Sequence, residues 1–244
     1  MIETEIHNKT GESIDYTFHP GVQADALVII GHGLTGNKDR PQLVALAEGL
    51  AARGWPCLRI SFSGNGQAGG RFEDSCISKE IGDLQAVLDA VPNNVSIAYV
   101  GHSMGAAVGV LTAARDMRIR VLVSLAGMTH TAAFLQREFS NVTPDVGCMW
   151  EDENFPLTQS FIQDLMQHEH TLDAAAAVSQ PWLLIYGSAD DLVPVQDGLD
   201  AFDAATCEKR WLEISGAGHS FDESNYPLIV EAVDEWLRLS LQCG

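Results

Sequence analysis

Val95-Ser96-Ile97-Ala98-Tyr99-Val100-Gly101-His102-Ser103-Met104-Gly105-Ala106-Ala107 is the stretch that decides the fold. The run Val95–Val100 is apolar and rich in β-branched and aromatic residues, which is the signature of a buried strand. A helix-compatible stretch, Gly105–Asp116, begins within five residues of its end. The Gly-x-Ser-x-Gly pattern between them arises by chance in roughly one chain of this size in ten, so context has to make it specific. Here the context is strand, sharp turn, helix, which lifts a serine hydroxyl above the end of a sheet. Side chains at 101 and 105 would collide with the neighbouring strand and helix, so glycine is required at both.

Working outward, short apolar runs recur at Ala26–Ile30, Pro56–Phe62, Val121–Leu125, Trp182–Gly187 and Arg210–Ile214. Several are continuous and not alternating, as strands covered on both faces require. Amphipathic stretches of helical length separate them: Pro41–Arg53, Ser78–Val91, Val195–Ala205 and Tyr226–Leu241. In the first, Leu43, Leu46, Ala47 and Leu50 recur at three and four residues and mark one buried face. The alternation predicts an α/β fold with a mostly parallel central sheet flanked by helices and right-handed crossovers. Ile2–His7 and Ser13–Phe18 fit an antiparallel hairpin through Lys9-Thr10-Gly11. From Gly127 to Gln180 the strand rhythm stops. Helices are expected there at Thr131–Phe139 and Leu157–Gln167, because a structureless loop of that length does not suit a compact domain. The chain reads as one domain, 1–244, with a small helical cap insertion at about 127–180 over one edge of the sheet.

A serine hydroxyl needs a base and an orienting acid before it attacks a carbonyl. Gly187-Ser188-Ala189-Asp190-Asp191-Leu192-Val193-Pro194 follows one strand and supplies two carboxylates, and Gly216-Ala217-Gly218-His219 follows the next and supplies an imidazole. In a parallel sheet such loops emerge at the carboxyl edge, where ligands bind. The reading is therefore Ser103 as nucleophile and His219 as base, with Asp190 the carboxylate nearer its strand end. Gly31-His32-Gly33-Leu34-Thr35-Gly36 follows Ala26–Ile30, and the backbone N–H groups of Leu34 and Met104 are assigned to an oxyanion hole. His32, His130, Trp150 and Phe155 are candidate substrate contacts. With Phe134, Phe139 and Met149, the last two would form an apolar acyl or aryl pocket.

These motifs together resemble the α/β-hydrolase family, whose triad order is serine, acid, histidine. Within it the chain looks most like serine esterases of the feruloyl (cinnamoyl) type. The shared stretches are His32-Gly33-Leu34-Thr35-Gly36-Asn37-Lys38, Arg59-Ile60-Ser61-Phe62-Ser63-Gly64-Asn65-Gly66 and Gly70-Arg71-Phe72-Glu73-Asp74. Ser61 and Asn65 stand where those relatives usually carry Asp and His, and the relatives usually carry a Ser near Ala68. The resemblance implies that the triad acid opens Asp-x-x-Val-Pro, hence Asp190. It also implies a serine carboxylesterase for short-chain or hydroxycinnamate-like esters, with no cofactor. Thioesterase, acyl-peptidase and C–C hydrolase activities use the same residues, and a non-catalytic ligand-binding member would keep the fold.

Composition narrows the partners. The 244 residues carry 33 acidic and 14 basic side chains, a net charge of −19 that repels nucleic acid and anionic membrane. No apolar run approaches the ~18–20 residues of a membrane span. Met1-Ile2-Glu3-Thr4-Glu5 lacks the basic and apolar regions of a secretion signal, so a cytoplasmic location is expected. The five cysteines contain no Cys-x-x-Cys pair and read as free thiols, and Glu151-Asp152-Glu153 reads as a solvated turn and not as a metal site. The expected partner is a small-molecule ester, with a homodimer as the one assembly allowed for.

Overall fold

The computed structural model describes residues 5–241, so residues 2–4 of the expected opening strand and Cys243 lie outside the described residues. The strands are β1 (Ile6–His7), β2 (Ser13–His19), β3 (Ala26–Gly31), β4 (Cys57–Ser61), β5 (Ser96–His102), β6 (Ile119–Leu125), β7 (Trp182–Gly187) and β8 (Lys209–Ile214). They form one sheet in the order β1-β2-β4-β3-β5-β6-β7-β8. From β4 to β8 all neighbours are parallel, and β1 and β2 add antiparallel pairs at one edge. This is the α/β-hydrolase architecture that the motifs imply. The helices are α1 (Pro41–Ala52), α2 (Ile77–Ala90), α3 (Met104–Ala113), α4 (Thr131–Phe139), α5 (Gln159–His168), α6 (Leu172–Ala177), α7 (Val195–Ala204) and α8 (Tyr226–Leu241).

The sheet divides the core into two layers. Along β3, Leu27 and Ile29 face the layer built with α2 and α3, while Val28 and Ile30 face the layer built with α1 and α8. Both faces are covered, so the strand period of two is hidden under continuous hydrophobicity. Helix α3 is buried at all ten positions, because it lies against the sheet beneath other helices.

Strand β5 runs past its apolar segment to His102, since Gly101 and His102 still pair with Ser124 and Leu125 of β6. Gly31 of β3 pairs with Gly101 in the same register. The carboxyl ends of β3 and β5 are therefore level, and their loops meet.

The segment between β6 and β7 contains three helices, where two were expected, and a 3-10 turn at Met149–Glu151. The additional helix is α6, built on the alanine run. Helix α5 starts at Gln159 and not at Leu157, because the Thr158 hydroxyl accepts from the Phe161 amide at 3.2 Å and caps it. The segment packs on the same side as α2, α3 and α7, and Phe134, Phe161 and Leu165 join that core. Among the described residues no helix is long and apolar enough to cross a membrane.

Candidate active site

Ser103 stands between β5 and α3 with φ 55° and ψ −120°, a left-handed conformation that a residue with a side chain rarely holds. The neighbouring chain over-determines it. Its amide donates to the Leu125 carbonyl at 2.9 Å, and its carbonyl accepts from Met128 at 3.1 Å and Ala106 at 3.0 Å. The flanking glycines allow this crowding. A Cβ on Gly101 would lie 2.4 Å from the Gly105 carbonyl oxygen, and one on Gly105 would lie 2.3 Å from that of His32. Both obstacles are backbone, so neither can yield.

The β3 loop reaches the serine from the side. A Cβ on Gly33 would stand 2.7 Å from the Ser103 Cβ and 3.2 Å from its Oγ. The Gly36 amide donates to the Gly33 carbonyl at 3.0 Å and closes a turn with Thr35 at φ 56°. Neither the Leu34 amide nor the Met104 amide donates to a protein acceptor among the described residues. Met104 opens α3, where the first amides lack intrahelical partners.

The loops that carry Asp190 and His219 are joined to each other. Ser188 donates to the Ile214 carbonyl at 3.0 Å, Ala189 to the Ala217 carbonyl at 2.9 Å, and the Gly216 amide to the Ser188 hydroxyl at 2.8 Å. His219 Nδ1 donates to Asp190 Oδ2 at 2.8 Å. The other oxygen, Oδ1, accepts from the amides of Leu192 at 3.0 Å and Val193 at 2.8 Å. Three donors thus converge on a carboxylate whose side chain is 0% exposed. With Nδ1 carrying the proton, His219 Nε2 is the nitrogen left free to accept one. Asp191 is exposed and holds no part of this network.

Two other histidines stiffen the site. Burial pushes His102 down to about 3, with the nearby His219 reinforcing it. The neutral ring donates Nε2–H to the His219 carbonyl at 3.0 Å. Burial likewise takes His32 down to about 4. Its Nδ1–H donates to the Gly33 carbonyl at 2.8 Å, and its Nε2 accepts from the Phe62 amide at 3.0 Å.

Ser103, His219, Leu34, Phe134 and Trp150 all line one cavity of about 360 Å³. Trp150 is 42% exposed, and its indole donates to Glu138 Oε2 at 3.1 Å. Three of the expected substrate contacts lie outside this lining and are corrected. His32 is fully buried, and both of its nitrogens bond to backbone. His130 turns to α7, where its Nε2 meets Asp200 Oδ2 at 2.7 Å and its amide donates to Asp197 Oδ2 at 2.9 Å. Phe155 packs edge-on against Phe72 at 4.9 Å. Of the five aromatic or methionine candidates in the segment, Phe134 and Trp150 reach the cavity, while Phe139 backs Trp150 edge-on at 4.9 Å. Arg40 and Gln42 also line it and were not expected. The available signal was Pro41, which starts a helix directly after the glycine-rich loop and so puts both neighbours at the loop's mouth.

Among the described residues no group of three or more His, Cys, Asp or Glu side chains could hold a metal ion.

The family described as serine aminopeptidase, S33, matches residues 22–149, more than half of the chain. An uncharacterized protein of Mycobacterium tuberculosis is 27% identical over 213 residues, covering 85% of this chain and 68% of that protein. The mitochondrial palmitoyl-protein thioesterase ABHD10 of Homo sapiens is 25% identical over 173 residues, and the match covers 66% of this chain but only 55% of that protein. Among solved structures, Est1E from Butyrivibrio proteoclasticus with bound ferulic acid superposes with a TM-score of 0.86 at 22% identity, over 98% of this chain and 99% of that one. The mouse alpha/beta hydrolase domain-containing protein 10 gives a TM-score of 0.80 at 20% identity, over 96% of this chain and 97% of that one.

Proposed function

This chain belongs to the serine aminopeptidase S33 family of hydrolases, and from that membership we propose that it is a serine carboxylesterase acting on short-chain or aryl esters. The observation that carries the reading is the bond from His219 Nδ1 to Asp190 Oδ2 at 2.8 Å, made beside a cavity that Ser103 and His219 both line. In this reading His219 Nε2 takes the proton from Ser103 Oγ as the oxygen attacks the ester carbonyl. The oxyanion that forms accepts from the Leu34 and Met104 amides, which are otherwise uncommitted. Collapse of the tetrahedral species expels the alcohol, protonated by His219, and leaves an acyl-serine. Water, deprotonated by His219, then releases the acid. Asp190 holds the imidazole tautomer and stabilises the imidazolium.

The substrate class rests on the cavity. At about 360 Å³ it lies near the small end of the ~300–1,000 Å³ typical of small-molecule pockets. Phe134 and Trp150 supply the flat apolar wall that a short acyl or aryl group needs. Est1E, whose structure holds ferulic acid, supports an aryl ester by analogy of fold. The palmitoyl-protein thioesterase relative makes thioester cleavage the second reading, since the same residues expel a thiolate.

The test is fluorophosphonate labelling together with turnover of p-nitrophenyl acyl esters of graded chain length. Labelling should occur at Ser103, and Ser103→Ala should lose on the order of 10⁴–10⁶-fold in kcat with the fold intact. An unlabelled wild-type protein, or an active Ser103→Ala variant, overturns the reading. A kcat/KM that rises through long chains overturns the short-chain assignment.

A further inference from the structure

One cationic group on the cavity wall is used neither by the proposed chemistry nor by the fold's ion pairs. Arg40 lines the cavity, and among the described residues its guanidinium makes a single hydrogen bond, from Nη2 to the Thr35 carbonyl at 2.9 Å. Carboxylates outnumber basic groups 33 to 14 in this chain, and most of its arginines have one within 4.0 Å. Among the described residues Arg40, Arg115 and Arg120 have none, and of these only Arg40 faces the cavity.

A second observation lies two residues on. Gln42 is 7% exposed and lines the same cavity, and its side-chain amide has no hydrogen-bond partner among the described residues. The side chain is held in place by burial while its amide stays open to the cavity, so it can hydrogen-bond a polar atom of a ligand placed there. Both residues stand at the start of α1, with Arg40 at its N-cap and Pro41 at its first position. This twelve-residue helix has no acidic residue in its first turn and no side-chain cap, so the positive end of its dipole is left uncompensated.

The other charges on the wall do not cancel this one. Glu138 is held by Trp150 Nε1 at 3.1 Å and by Arg137 Nε at 3.3 Å. Asp191 belongs to the loop after β7, and β5 and β6 separate that strand from β3. The cavity therefore carries opposite charges at its two ends. It has a cationic end where β3 leads into α1 and an acidic end at the β7 loop, with the β5 elbow of Ser103 between them.

We propose that the cationic end binds a free carboxylate of the substrate, so that the ester cleaved at Ser103 is an acidic one, held by the Arg40 guanidinium and the Gln42 side-chain amide. This rests on the serine esterase reading above. One guanidinium matches one negative charge, and its planar fork fits a carboxylate. A phosphate dianion would bring a second charge into the field of a −19 chain with nothing to meet it.

Two matched pairs of esters test the proposal. In monoethyl succinate against ethyl succinamate the carboxylate is on the acyl side, and in 4-acetoxybenzoate against 4-acetoxybenzamide it is on the leaving group. At least one pair should favour the carboxylate by about tenfold or more in kcat/KM, as a charged hydrogen-bonded contact implies. That ratio should fall to about one in Arg40→Gln, and by about threefold or more in Gln42→Met. The ratio is the readout because losing the bond from Arg40 to Thr35 lowers the rate for both members of a pair. Ratios near or below one, or a ratio indifferent to Arg40→Gln, overturn the proposal while the esterase reading stands.

Failure of the esterase reading looks different, since no ester is then cleaved in a Ser103-dependent manner. Calorimetry on Ser103→Ala decides the site without turnover. At least one of monoethyl succinate and 4-acetoxybenzoate should bind this variant more tightly than its amide counterpart in an Arg40-dependent way, and equal affinities within both pairs, or tighter binding of inorganic phosphate, would overturn the carboxylate assignment.

Discussion

Asp190 and Asp191 are adjacent in sequence and opposite in environment. The Asp190 side chain is 0% exposed and bonds to His219 at 2.8 Å, whereas Asp191 is exposed. Asp190→Asn should therefore lower kcat by on the order of 10⁴, by removing the group that holds the imidazole tautomer. Asp191→Asn should change it by less than about tenfold. Saturating p-nitrophenyl ester at pH 8 reads both, and a dead Asp191 variant would move the acid by one residue. His32 supports a second expectation at this scale. Its Nε2 accepts from the Phe62 amide, so protonation would set two N–H groups against each other. Its proton affinity falls from 6.5 in the unfolded chain to about 4 in the buried site. The unfolded chain thus binds the proton first as pH drops. Stability is whole above pH 6.5 and is lost toward pH 4, by about 1.4 kcal/mol per pH unit from this group. Urea midpoints across that window should show a shallower slope in His32→Gln, and an unchanged slope would remove His32 as the cause.

Helix α2 carries a cost of its own. Glu80 on its first turn is 1% exposed, and its Oε2 has no hydrogen-bond partner among the described residues. Burial holds its carboxyl well above the usual range, with Asp83 adding to the effect, Lys79 opposing it and Asp164 adding further. Here the folded state keeps a proton that the unfolded chain releases above 4.5, so stability declines as pH rises past that value. Glu80→Gln removes the titration and keeps the shape. The urea midpoint of the variant should exceed that of wild type by more at pH 8 than at pH 5, and an equal difference at both would refute the account. Periodicity in the sequence marks where α2 lies but not this burial. The helix is closed over by α3 and by the segment between β6 and β7, which lie far away along the chain.

For the molecule as a whole, the net charge of −19 is the dominant long-range term. Self-repulsion of this size is screened by salt. Raising NaCl from about 0.02 to about 0.5 M should lift the melting temperature by roughly 2–4 °C for each kcal/mol of repulsion removed. A melting temperature that falls over this range would show that screened ion pairs outweigh the repulsion.

The sequence by itself determined the strand–helix alternation, the elbow at Ser103 and the loops carrying Asp190 and His219. Each of these is a local signal: an apolar period, a glycine where no Cβ fits, a polar cluster at a strand end. Three expected substrate contacts lie outside the cavity lining because a side chain's direction is not local. His32, His130 and Phe155 sit on the expected loops and segment, yet Phe62, Asp200 and Phe72, all distant in sequence, take up their ring nitrogens or faces. Arg40 and Gln42 are not legible as cavity residues for the converse reason. An arginine and a glutamine at a helix start look like any solvated pair, and only the packing of α1 beside the β3 loop brings them to the cavity. Backbone geometry is written in short-range sterics, whereas the lining of a site is settled by which distant surfaces close around it.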